Sequence, residues 1–129
     1  MTADIVYTEI KILLEGYGYK EIPDLMNIEE VKESQSNKGF ILQPTGSEEI
    51  EYTNSSLTTE HEWKLEIVYR SKNLSDRVTN YSYFHSVKQN IQKKTDFKGF
   101  LSKPKFERLA DLTFHSVGTL EFSYGIEGS

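Results

Sequence analysis

The chain predicts an α+β fold, an antiparallel sheet of about four strands with two main helices packed on one face. Three observations carry that expectation. Apolar residues recur at helical spacing near the N-terminus and again over about residues 75–93. Residues 62–69 alternate strictly between apolar and polar or charged side chains, with Val68 as the exception. Short strand-like runs punctuated by Gly, Pro and polar clusters lie on either side of the second helix.

Residues 3–15 place Val6, Ile10, Leu13, Leu14 and Tyr17 on one stripe of a 3.6-residue period, with Thr2 as N-cap and Gly16 as the stop. The stretch YGYKEIPDLMNIEEVKESQSNKG has no sustained period, and Pro23 and ESQSNKG mark a connection holding a short helical turn around 27–33. GFILQP, residues 39–44, is the first strand. TGSEEIEYTNSSLTTE is either a long hairpin loop or a pair of ragged strand arms.

In TTEHEWKLEIVYR, residues 58–70, Trp63, Leu65, Ile67 and Tyr69 share one face of a strand, opposite Glu62, Lys64, Glu66 and Val68. The second helix carries Leu74, Val78, Tyr81, Phe84, Val87 or Lys88, and Ile91 as its stripe, capped by Asn73 or Ser75. A basic connector, DFKGFLSKPK, leads to a third strand over 106–117. Gly118 makes a tight turn, and TLEFSYGIE is the fourth strand.

At 129 residues the chain suffices for one domain, 1–129, with a real core. A composition of 36% hydrophobic and 27% charged residues sets it among folded rather than disordered chains. No apolar run approaches the roughly 20 residues needed to cross a bilayer, and the first residues carry no secretory signature. With no cysteine there is no disulfide, thiolate nucleophile or Cys-based zinc site, and synthesis in a reducing cytoplasm is expected. The net charge of −5 is uneven: residues 1–60 carry 4 basic and 12 acidic side chains, residues 61–129 carry 11 and 8. Such polarity favours complementary partners, including copies of the chain stacked head to tail, and disfavours general nucleic-acid binding.

Glu60, His61 and Glu62 resemble a metal or acid–base site only until they are placed on a strand. There His61 points away from both carboxylates, and the spacing is not HExxH. His61, His85 and His115 together would suffice for zinc, but nothing in their spacing asks for it, and His85 beside the helix stripe reads as a hydrogen-bonded core or boundary imidazole. The chain contains no nucleophile elbow and no glycine-rich phosphate loop. No catalysis and no cofactor are expected. Between Lys88 and Arg108, Lys93, Lys94, Lys98, Lys103 and Lys105 interleave with Phe97, Phe100 and Phe106. That segment reads either as a contact patch for an acidic partner or for phosphates, or as a solvated helix end whose cations favour the C-terminal dipole. Glu48, Glu49 and Glu51 form the acidic counterpart before position 61. Eight tyrosines suit an interface or the rim of a small core equally.

With the elements placed, the chain resembles the tail terminator (tail completion) proteins of long-tailed bacteriophages. The likeness spans nearly all of it and rests on layout: the helix DIVYTEIKILLEGYG, the connector IPDLMNIEEV, the strand KGFILQP, the strand TTEHEWKLEIVYR, an amphipathic helix and a closing TLEFSYGIE. The resemblance implies a non-catalytic virion assembly protein at the tail–head junction, made in the host cytoplasm. It implies a ring of copies, a hexamer in that family, that caps the tail tube protein, stops tube growth and meets the head–tail connector protein. DNA would pass through without specific binding, which an acidic balance suits. Glu48, Glu49, Glu51, Lys93, Lys94, Lys98, Lys103 and Lys105 are the expected interaction residues from charge alone. The alternatives are an acidic immunity-type protein that masks a basic partner, and a head-completion or stopper protein of the same neck.

Overall fold

A computed structural model describes residues 3–22, 37–52, 56–93, 104–108 and 115–127. The elements run α1 (Ala3–Gly16), β1 (Lys20–Glu21), β2 (Gly39–Tyr52), β3 (Ser56–Arg70), α2 (Leu74–Gln92), β4 (Lys105–Arg108) and β5 (His115–Glu127). They form an α+β fold whose sheet has five strands in the order β1-β2-β3-β5-β4. All pairings are antiparallel except β1 with β2, so the sheet is mixed rather than purely antiparallel. The added strand is the two-residue β1, too short to leave an alternating pattern in the sequence.

One face of the sheet carries the core. Alternation brings Trp63, Leu65, Ile67 and Tyr69 of β3 inward, all buried. Register sets Phe40 and Leu42 of β2 against Ile67 and Leu65, and Leu120 and Phe122 of β5 against Leu65 and Trp63. Val6, Ile10 and Leu14 of α1 and Phe84, Val87 and Ile91 of α2 close over this surface in the same cluster. Each such apolar side chain contributes about 1.5–3 kcal/mol on burial. On the opposite face Glu62 is exposed and Lys64 and Glu66 half-buried, while Ile41, Val68 and Val117 are buried.

Four local expectations change, and one open alternative is decided. Gly16 closes α1 as its last residue, but the left-handed glycine is Gly18, at φ 90°, and Tyr17 is exposed rather than on the buried stripe. TGSEEIEYTNSSLTTE resolves into strand arms: β2 runs on through Tyr52 and β3 starts at Ser56. A bulge lets this happen, since Pro44 faces Trp63 and Gly46 faces Glu62, leaving Thr45 as the extra residue.

The inward stripe of α2 is Asn80, Phe84, Val87 and Ile91, while Leu74, Val78 and Tyr81 are 75%, 58% and 52% exposed. Polar anchors take the inward positions of the helix's first half. Asn80 Nδ2 donates to Arg70 O (3.0 Å) and Ser71 Oγ (2.9 Å), and Arg77 Nη1 donates to Ser116 Oγ (2.5 Å).

Gly118 makes no turn. It lies inside β5, opposite Ile67 and Phe106, where a Cβ would come within 2.6–2.8 Å of the Phe84 ring. Only glycine lets α2 settle that close to the sheet. The expected strand over 106–117 is accordingly divided: β4 ends at Arg108 and β5 begins at His115. The expected cap Thr2, the helical turn around 27–33 and most of the basic connector lie outside the described residues.

Candidate functional site

The three histidines do not assemble. His61 pairs in register with Tyr124, and His115 pairs with Arg70, nine positions further along β3. At about 3.3 Å per residue the two are roughly 30 Å apart. His85 lies on α2 and is exposed, neither a core nor a boundary imidazole, whereas His115 is buried at the start of β5. Among the described residues no group of three His, Cys, Asp or Glu side chains could hold a metal ion.

The expected charged residues are likewise kept apart. Glu48, Glu49 and Glu51 occupy β2 beyond the bulge, register partners of Glu60, Thr59 and Leu57. Lys93 is the exposed C-cap of α2, and Lys105 is exposed on the edge strand β4. Through Thr119 and Glu66, Lys105 stands level with Ile41 of β2. The acidic positions lie some 20 Å further along the strand direction. Lys94, Lys98 and Lys103 lie outside the described residues.

What gathers instead is an arm and a cleft. The buried cluster reaches Trp63 and Phe122, yet pairing continues beyond it through Gly46–Tyr52, Ser56–Glu62 and Ser123–Glu127. This three-stranded arm extends roughly 20 Å past the core. Residues 45–62 contain five glutamates and no lysine or arginine. Among the described residues, nothing pairs with the outer edge of β2 after Phe40 or of β5 after Thr119.

The cleft lies at the other end of β2, between the α1–β1 turn and α2. It has a volume of about 190 Å³ and is lined by Tyr17, Tyr19, Lys38, Tyr83, Ser86, Val87 and Asn90. Lys38 sits in the left-handed region at φ 62°, held there by its N–H donating to Val68 O (2.7 Å) and its carbonyl accepting from Lys20 N–H (2.9 Å). That conformation costs a non-glycine residue on the order of 1 kcal/mol. Its ammonium stands 4.8 Å from the Tyr83 ring centroid and 5.8 Å from that of Tyr19. Among the described residues no carboxylate pairs with it.

Beneath the cleft Tyr19 Oη and Tyr69 Oη share a buried hydrogen bond of 2.8 Å. Burial pushes both phenols above the ordinary tyrosine value. Tyr69 packs edge-on against Tyr19 and Phe84, and the ring series continues through Phe106 to Tyr81. On the outer side of α1, Tyr7 donates to Glu21, which also pairs with Lys11 at 3.2 Å. The bond to that carboxylate pushes the Tyr7 phenol up to about 12.

Tyr17, Tyr19 and Tyr83 belong to the tyrosines that the sequence leaves open between an interface and the rim of the core, whereas nothing in the sequence marks Lys38. A lysine before a strand glycine is ordinary; only the distant Tyr83 and Val68 make it a fixed cation. No protein-family model matches the chain, and no curated protein matches it.

Proposed function

We propose that this protein is a non-catalytic assembly subunit of the phage tail terminator type, whose copies form a ring at the end of a tail tube, halt its growth and present a surface to the head connector. The observation that carries the reading is the arm. It is a long paired extension beyond the core, rich in glutamate and bordered by two different strand edges, β2 and β5. Open edges carry unpaired main-chain donors and acceptors that favour joining another chain. Because the two edges differ, pairing β2 of one copy with β5 of the next is heterologous, the type that closes into a ring when its rotation allows. The apolar patch of Leu74, Val78 and Tyr81 on α2, beside Arg77 and Phe106, adds a second surface for the tube or connector.

The test is to incubate the purified protein with assembled tail tubes, measure mass by light scattering over a concentration series, and image by electron microscopy. Rings, free or at tube ends, are expected. A protein that stays monomeric and ignores tail tubes overturns the reading. The five glutamates of the arm also favour a second reading, an immunity-type protein that masks a basic partner. That reading requires tight one-to-one binding with a strongly salt-dependent association rate, and a toxin gene rather than a tail gene alongside.

A further inference from the structure

We infer that the Lys38 cleft is a carboxylate receptor, and that its occupant is the acidic arm of a second copy of this chain. This rests on the ring reading and deepens it by naming the contact.

The cleft has the chemistry for an acidic side chain on an aliphatic stem. Lys38 supplies an ammonium fixed over the rings of Tyr83 and Tyr19 and, among the described residues, unneutralised. Asn90 supplies amide donors, the Ser86 hydroxyl being given to Ser82 O at 3.1 Å, and Val87 with the tyrosine rings supplies an apolar wall for the stem. The left-handed backbone at Lys38 is held by its bonds to β1 and β3, so the base of the side chain is placed before anything binds.

The arm has the opposite need. Glu48 is the register partner of Glu60, so the strands bring two acidic positions level with each other. Residues 45–62 hold no lysine or arginine to relieve them. The arm of a chain does not reach its own cleft: Glu48–Glu51 begin ten residues beyond Lys38 along the same extended strand, roughly 30 Å away. The arm of one copy therefore meets the cleft of the next, head to tail.

Zero-length carbodiimide cross-linking of the full chain tests this, using mixed unlabelled and 15N-labelled copies at high concentration, with mass spectrometry of the products. Peptides joining Lys38 of one copy to Glu48, Glu49 or Glu51 of another are expected. Lys38→Asn keeps a residue tolerant of the left-handed region while removing the charge, and should weaken self-association about tenfold or more with thermal stability retained. Lys38→Glu combined with Glu48→Lys, Glu49→Lys and Glu51→Lys should restore it. Assembly that ignores Lys38→Asn and yields no Lys38 cross-link to the arm overturns the inference and leaves the ring reading standing. Open filaments joined through Lys38 support the inference and overturn the ring. A protein that stays monomeric and also ignores tail tubes overturns both. Should Lys38→Asn fail to fold, the cross-link map of the unaltered chain decides alone.

Discussion

Single side chains set what this protein tolerates. Ile67 is fully buried in the central strand, opposite Phe40 and Gly118, so Ile67→Asp places an unpaired charge in the core. That variant should be insoluble or unfolded by circular dichroism, because a buried charge without a partner costs several kcal/mol. Gly118→Ala puts a methyl group against the Phe84 ring. It should lower stability in urea by about 1–3 kcal/mol, and a smaller residue at 84 should relieve part of the loss.

The phenols give a pH dependence. Burial raises the pKa of Tyr69 and Tyr19, and the bond to Glu21 raises that of Tyr7, so the folded chain keeps protons that the unfolded chain releases near pH 10. Their contribution is complete below that pH and is lost as pH rises beyond it. Urea unfolding midpoints should fall above about pH 10. Tyr69→Phe should flatten part of that fall while costing about 1 kcal/mol at neutral pH through the lost hydroxyl pair.

At the level of elements, α2 is held by polar contacts at its start and apolar ones at its end. Asn73 accepts from Asp76 N–H at 2.9 Å, and Asp76 accepts from Lys72 N–H at 3.1 Å. Asn73→Ala should destabilise the protein by about 0.5–2 kcal/mol, measurable as a lower Tm with unchanged secondary structure. The cap is legible in the sequence as Asn73 or Ser75, and the bond from Asp76 N–H selects Asn73. The helix's orientation is not, since Leu74, Val78 and Tyr81 extend the apolar spacing of Phe84, Val87 and Ile91 equally well. Asn80 and Arg77 turn the helix by binding Arg70, Ser71 and Ser116 on the sheet. The arm is similar: polar residues conceal two strands whose pairing comes from register carried outward from the core.

For the whole molecule, charge is separated along the sheet, with the acidic arm at one end and the Lys38 cleft at the other. Association between copies should therefore weaken as salt rises from 50 to 500 mM, by sedimentation, because pairs accessible to ions are screened beyond about 10 Å at 0.1 M. Folding stability should respond far less, since the core on which it depends is apolar.

The sequence by itself determined the α+β class, the two helices, the inward set of β3 and a cap of α2 at Asn73 or Ser75. Each is written in a period or spacing of a few residues. Only the tertiary structure decided the five-stranded mixed sheet, the paired arm, the turn of α2, the close approach at Gly118 and the cation over the tyrosines. These depend on residues brought together from tens of positions apart, which no local pattern encodes.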